Sequence, residues 1–208
     1  TKEKLQMQDL QERSSTPAAS AKPLADVLSV LPKHRDLFYA GGWQKPKGGY
    51  LETMNPGTGK GIGRCAEANT EDVNLAVASA QKAFPEWSRT KPFARAAMMR
   101  KVAAILREHA TELAMIDAIN CGNPIAEMER DVLNAASQFD FFAGLVTELK
   151  GDTMPMGDGI VNMSVREPFG VVGRVVAYNH PLMFTAAKSA APLAAGNVVI
   201  MKPPYQAP

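Results

Sequence analysis

The sequence predicts an α/β fold in which short strands come first, a set of helices follows, and a parallel sheet begins near the end of the chain. Apolar positions recur at helical spacing between residues 69 and 149. Two short runs rich in β-branched residues, 171–177 and 198–202, flank a further helical segment. Between the helices and these runs, Gly and Pro surround a short alternating stretch, which is typical of a β-hairpin.

Composition excludes several classes of protein. The 208 residues are 46% hydrophobic and 21% charged, which is enough apolar content for one sizeable domain or two small ones. The 23 Lys and Arg nearly balance the 21 Asp and Glu, and no basic run carries interleaved aromatic residues, so no nucleic-acid partner is expected. No apolar stretch approaches the roughly 20 residues of a membrane helix. The N-terminus carries Glu3, Asp9 and Glu12 and lacks the features of secretory signals and transit peptides, so we expect a cytoplasmic protein with no membrane contact.

The first part of the chain is predicted to be an extension followed by strands. Residues 1–36 form an N-terminal extension that is polar up to about residue 23 and helical at most over residues 2–12. From residue 37 to 68, short apolar pieces alternate with Gly-rich and Pro-rich turns, which predicts strands. Lys60 does not mark a phosphate-binding loop, because Met54 stands where the pattern GxxxxGK requires its first glycine, and no Ser or Thr follows the lysine.

Helices are predicted next. Asn69 or Thr70 caps the first helix, and Pro85 is expected to close it. Pro92 begins the second helix, in the position where a first-turn proline belongs.

The third and fourth helices are separated by the turn CGNP. The third covers residues 111–120, and His109 before it is expected at the surface or in a cap. The fourth is the longest and runs from residue 124 to about 149. Its apolar residues lie on one face and predict a core stripe: Met128, Val132, Ala135, Phe139, Phe142 and Val146.

The last part of the chain is predicted to be a hairpin and then a βαβ unit. Residues 151–167 form a hairpin arm that leaves the helical body, and such an arm suits a contact between copies of the chain. A buried strand over 171–177 is followed by a helix over 182–193 that Pro181 begins, and by a second strand over 198–202. The two strands are expected to be parallel, with a right-handed crossover.

Polar residues gather where these strands end. In α/β proteins, ligands bind at the carboxyl edge of the sheet. Tyr178, Asn179 and His180 end the first strand in the stretch VVAYNHP, and Lys202 ends the second. The dinucleotide fingerprint GxGxxG is missing, so a nucleotide would bind there in another way. From the residues alone, Asn179 could instead cap the helix that starts at Pro181.

The stretch PFGVVGRVVAYNHPLMFTAAKSAAPLAAGNVVIMKPPYQAP resembles the cofactor-domain entry of the NAD(P)-dependent aldehyde dehydrogenase superfamily. NPGTGKGIG and the helices after it resemble that family's N-terminal part, so the resemblance covers about residues 37–208. It implies that residues 37–150 form the N-terminal part of the cofactor-binding domain. Residues 151–167 would then be a β-hairpin oligomerisation arm, and residues 168–208 the start of the dinucleotide-binding βαβ unit, with an incomplete Rossmann-type sheet.

The resemblance implies a role for the strand-end asparagine. In that family it donates its side-chain N–H to the oxyanion of a thiohemiacetal formed on a catalytic cysteine, and Asn179 is the matching position. Lys188 matches a helix lysine that supports the active-site region. Tyr178 and His180 stand where the family usually has Trp and Phe, so we expect a more polar approach for the substrate, with His180 in the substrate pocket.

The resemblance also implies a cofactor, NAD or NADP. Lys202 matches the lysine that contacts the adenine ribose, and backbone groups of Val176, Ala177 and Tyr178 would flank the nucleotide. Tyr205 stands where many NAD-preferring members carry a glutamate that binds the ribose hydroxyls. Without that carboxylate, both a hydrogen-bond acceptor and a charge that repels a 2′-phosphate are lost, so the sequence does not choose between NAD and NADP.

The catalytic cysteine, the general-base glutamate and the second glycine motif of the family lie further on than the region that this chain resembles. Cys65 and Cys121 match neither role and are predicted to be packed thiols, and no Cys or His cluster suggests a metal. We therefore expect the N-terminal portion of a larger, oligomeric enzyme, a dimer or tetramer, that oxidises an aldehyde to a carboxylic acid. This chain alone would be inactive. The alternative is a catalytically silent, truncated module that assembles with full-length subunits through the hairpin arm.

Overall fold

The computed structural model describes Ser29 and residues 31–208. The helix suggested for residues 2–12, and most of the predicted extension, lie outside the described residues. Strands come first, as predicted. β1 (Leu37–Tyr39) pairs antiparallel with β2 (Gly42–Gln44), and β3 (Tyr50–Asn55) pairs antiparallel with β4 (Lys60–Ala66).

The helices that follow are α1 (Thr70–Arg89), α2 (Pro92–Glu108), α3 (Ala110–Cys121) and α4 (Ile125–Leu145), and α4 continues into a 3-10 turn, Val146–Glu148. Asn69 caps α1: its side chain accepts the N–H groups of Glu71 and Asp72, and Asp72 in return accepts the N–H of Asn69.

The prediction that Pro85 closes the first helix is wrong, because Pro85 lies inside α1, which continues to Arg89. A proline inside a helix removes one backbone hydrogen bond, and tertiary contacts can offset that loss. Such a contact follows at once, since the indole N–H of Trp87 donates a 3.2 Å hydrogen bond to the carbonyl of Leu193. The last turn of α1 is therefore tied to the end of the βαβ helix.

Two apolar clusters hold the helices together. The first joins α2, α4 and the βαβ helix around Met99, Phe139 and Ala190. The second joins α3 and α4 around Met128 and Val132, both fully buried. The predicted stripe along α4 is confirmed, with Phe142 half-buried and its other members buried. A close-packed α4 is thus the platform on which the βαβ unit lies.

A hairpin separates the helices from the last sheet. β5 (Thr153–Pro155) pairs antiparallel with β6 (Val161–Met163), as predicted. Its apolar side chains face solvent: Met154, Met156, Ile160, Val161, Met163 and Val165.

The βαβ unit consists of β7 (Val171–Val175), α5 (Pro181–Ala194) and β8 (Val198–Lys202), and its strands are parallel, as predicted. Val175 is opposite Lys202. The expected buried strand over 171–177 needs correction. Regular pairing ends at Val175, two residues earlier than expected. Val175 is 78% exposed, because among residues 31–208 this sheet has only two strands and much of their surface is uncovered.

Candidate active site

A short connection joins β7 to α5, and we call residues 179–182, which include the first two residues of α5, the corner. Before it, Val176 is buried and donates its N–H to the carbonyl of Lys202 at 3.3 Å, so the chain leaves the sheet in a fixed direction. Pro181 then begins α5, and His180 occupies the N-cap position without a side-chain capping bond. Asn179 is therefore not the cap of this helix, and the alternative raised by its sequence position is wrong.

The side chain of Asn179 is available to a ligand. It is exposed, and within the described part of the chain its amide group makes no hydrogen bond. An amide of this kind offers two N–H donors and a carbonyl acceptor. Because Asn179 follows a paired strand and precedes a proline-started helix, its backbone is restrained on both sides.

The strand register brings most of the predicted site residues to one edge of the sheet. Lys202 ends β8 opposite the end of β7, and its ammonium group pairs with no carboxylate among residues 31–208. Tyr178 and Tyr205 follow the two strands and are 60% and 68% exposed. Ala177 is also exposed. The edge therefore offers an amide, an ammonium group and two phenols to solvent.

Lys188 lies elsewhere. It is on the exposed side of α5 and lines an open groove of about 640 Å³ together with Phe142, Arg174 and Phe184. The groove includes neither Asn179 nor Lys202. A supporting role for Lys188 stays a prediction.

The imidazole of His180 is held by an aspartate that the sequence analysis did not single out. Its Nδ1 lies 2.6 Å from Oδ2 of Asp131 in α4, and its ring contacts Phe184 edge to face. With Nδ1–H donated to the carboxylate, Nε2 is the remaining polar atom of the ring. His180 thus has a fixed orientation, and its place in a substrate pocket stays a prediction.

The turn between α3 and α4 also touches the corner. The side-chain amide of Asn123 donates a 2.6 Å hydrogen bond to the backbone carbonyl of Asn179. The CGNP turn is remote from Asn179 in the sequence, but the structure brings the two together. In the sequence, the signal for this contact was a polar residue in a tight turn before a long helix.

A buried carboxylate lies beneath the same corner. Asp117 in α3 is 6% exposed and accepts the backbone N–H of Leu182. Burial raises the pKa of Asp117 to about 6, and the negative charge of Asp131 adds to the rise. Within the described residues its Oδ2 has no hydrogen-bond partner. An acidic residue in the otherwise apolar run LAMIDAIN was the available signal for such a site.

The cysteines are packed, as predicted. Cys121 is half-buried with Sγ 3.7 Å from the sulfur of Met128, and burial raises its pKa. Burial likewise raises the pKa of Cys65 in β4. Neither thiol has the lowered pKa that marks a reactive nucleophile.

The described residues contain neither a metal cluster nor a membrane-spanning helix. No group of His, Cys, Asp and Glu in residues 31–208 is arranged to hold a metal ion. No helix in that part of the chain has the length and apolar character needed to span a membrane.

The fold and the edge define a class of protein: helices packed beside the opening βαβ unit of a Rossmann-type sheet. Residues 43–208 match the aldehyde dehydrogenase family. An aldehyde dehydrogenase of Talaromyces stipitatus, tropH, is 50% identical over 186 residues, which cover 88% of this chain and 36% of the relative. The chain therefore belongs to the aldehyde dehydrogenase family.

Solved structures agree with this assignment. PnpE in complex with nicotinamide adenine dinucleotide is 36% identical with a TM-score of 0.78, over 80% of this chain and 35% of PnpE. HpcC of Thermus thermophilus is 30% identical with a TM-score of 0.83, over 88% of this chain and 36% of HpcC. This chain spans about a third of the length of the curated relatives it matches.

Proposed function

We propose that this chain supplies the oxyanion donor and part of the cofactor site of an aldehyde dehydrogenase. The complete enzyme oxidises an aldehyde to a carboxylic acid and reduces NAD or NADP. The observation that carries the proposal is the unpaired side-chain amide of Asn179, held at the carboxyl edge of β7 in a chain of this family.

The chemistry requires a cysteine nucleophile, and neither Cys65 nor Cys121 has the lowered pKa of a reactive thiol. A cysteine thiolate attacks the aldehyde carbonyl, a carbon–sulfur bond forms, and the carbonyl electron pair becomes an oxyanion. The Asn179 amide donates a hydrogen bond to this oxyanion, and such a donor stabilises the transition state by roughly 2.7 to 4 kcal/mol in comparable acyl-transfer sites. Bound NAD(P) supplies the acceptor for the hydride that leaves the same carbon. Water then hydrolyses the resulting thioester, which releases the acid and regenerates the thiolate.

Lys202 is the proposed cofactor ligand on β8. Its ammonium group has three donors and is exposed at the strand end, which suits the hydroxyl groups of a ribose. The backbone of Val176, Ala177 and Tyr178 is proposed to flank the nucleotide along the same edge. Tyr205 presents no carboxylate to a 2′-phosphate, so both NAD and NADP fit the arrangement.

The hairpin arm is the proposed contact between subunits. Its exposed apolar side chains, with Val161 at 74% and Met163 at 61%, form a surface that a second copy would cover. We propose a dimer or tetramer that acts in the cytoplasm.

The test is aldehyde-dependent reduction of NAD or NADP by the purified, complete protein, followed by the absorbance of the reduced nicotinamide. Turnover that requires both the aldehyde and the cofactor supports the proposal. A protein that binds neither cofactor in calorimetry and reduces neither with aliphatic, aromatic or polar aldehydes contradicts it. Co-purification of such an inactive protein with longer family members would support the assembly module, which the exposed arm also favours.

A further inference from the structure

The corner at residues 179–182 is held at three of its four positions by polar side chains from a single neighbouring unit, α3, α4 and the turn between them. These side chains are Asp117, Asn123 and Asp131. Each bond joins segments that are far apart in sequence, so none of them forms through local folding of the corner. The corner therefore takes its conformation from α3 and α4 as well as from the sheet.

The bond from Asp131 holds the side chain of His180, the residue that directly follows Asn179. Asp131 is 13% exposed at its side chain, and its Oδ2 lies 2.6 Å from the imidazole. A short bond to a carboxylate that is largely withdrawn from water is stronger than a solvent-exposed one. Because His180 directly follows Asn179, fixing the His180 ring and backbone limits the directions in which Asn179 can point.

The carboxylate of Asp117 does not serve stability alone. Its burial raises its pKa, which means that the charged form is destabilised in the folded protein. Asp117 and Asp131 nevertheless both lie at the N-terminus of α5, where backbone N–H groups point outward and favour negative charge. The arrangement thus opposes part of the folding free energy while it restrains the corner.

We propose that Asp131 is a positioning residue, which directs the Asn179 amide through its bond to His180. This inference rests on the proposed function, because it assigns Asp131 a role in the same oxyanion site. Asn123 restrains the carbonyl of Asn179 from the other side. Asp131 itself touches no reacting atom.

The test is a double-mutant cycle in the complete enzyme. Asp131→Ala is expected to lower kcat by about 10- to 100-fold with little change in the KM for cofactor, because a displacement of about 1 Å at a reacting group has effects of that size. Asp131→Asn keeps an acceptor for the Nδ1–H and is expected to recover most of the loss. In the Asn179→Ala background, Asp131→Ala should lower kcat no further, since the two residues act through one group.

Asp140→Ala is the matched control. Asp140 lies on the same helix and forms an ion pair of the same 2.6 Å length, with Arg107, away from the corner. The Asp140→Ala variant is expected to leave kcat unchanged. Thermal unfolding of each variant separates loss of folded protein from loss of positioning.

The outcomes distinguish this inference from the proposed function. Normal turnover by Asn179→Ala contradicts the proposed function. If Asn179→Ala is impaired but Asp131→Ala is normal, or if the two losses multiply in the double variant, the positioning role is wrong and the proposed function stands. Hydrogen exchange of the backbone amides of residues 179, 180 and 182–184 gives a readout that needs no activity. Faster exchange in Asp131→Ala than in Asp140→Ala supports the role, and equal exchange overturns it.

Discussion

The side-chain amide of Asn123 donates a hydrogen bond to the carbonyl of Asn179, 56 residues further along the chain. This bond joins the turn after α3 to the corner that carries the proposed oxyanion donor. It predicts that Asn123→Ala lowers the free energy of unfolding by about 1 kcal/mol, which is typical of one lost hydrogen bond. Urea denaturation measures the change. Asn74→Ala, which removes an exposed amide from α1, is the control, and equal stability of the two variants would contradict the prediction.

The buried carboxylate of Asp117 predicts a pH-dependent effect of Asp117→Asn. Its pKa rises from 3.8 to about 6 on folding, so the stability that Asp117 contributes is present below about pH 4 and is lost as the pH rises through 6. An Asn at this position can still accept the N–H of Leu182 and carries no charge. We expect the variant to be more stable than the parent by on the order of 2 to 3 kcal/mol at pH 8, and similar to it at pH 4.

Unfolding curves at several pH values check this expectation. The difference in stability between parent and variant should grow as the pH rises from about 4 to 6, the range between the unfolded and folded pKa of Asp117. Asp131 and His180 are the other titratable groups that face Asp117. A variant that is destabilised equally at every pH would show that the charge of Asp117 is not the cause.

The cofactor edge predicts a change in selectivity for Tyr205→Glu. A carboxylate beside the adenine ribose would accept hydrogen bonds from its hydroxyls and repel a 2′-phosphate. We expect the ratio of kcat/KM for NAD to that for NADP to rise about tenfold, which corresponds to about 1.4 kcal/mol. Gln206→Glu adds the same charge one residue further on. An equal rise in both variants would mean that net charge, not position, sets the preference.

The hairpin arm predicts that Val161→Asp weakens assembly of the complete protein. Val161 is 74% exposed in β6, and a charge there would be buried without a partner if a second copy covers the arm. Light scattering should show a smaller assembled mass at equal concentration. Val73→Asp, at a 50% exposed position on α1, is the control. An unchanged mass for Val161→Asp would remove the arm from the interface.

The βαβ unit could be predicted closely because local signals agree there. β8 has the predicted bounds, since a β-branched run follows Gly196, which adopts a φ of +86° at the helix exit. Parallel pairing then placed Asn179 and Lys202 on one edge. Pro85 shows the opposite case: a local stop signal was overridden by the contact between Trp87 and Leu193, which no local pattern contains.

The residues that hold the site in place could not be predicted, because they too contact residues far away in the sequence. Asp131 lies 49 residues from His180, and the two meet only because α4 packs against α5. On the sequence, Asp131 is one charged position on a long amphipathic helix, and Asn123 is one polar residue in a turn. Their roles depend on the angle and register of helix packing, which side-chain shape determines.

The most direct test of the account is the turnover of Asn179→Ala in the complete enzyme, with Asn74→Ala as the control. Loss of one preorganised donor should lower kcat by roughly 10²- to 10³-fold while the affinity for cofactor is retained. That result would establish Asn179 as the oxyanion donor at the corner between β7 and α5. Near-normal kcat in Asn179→Ala would contradict the account.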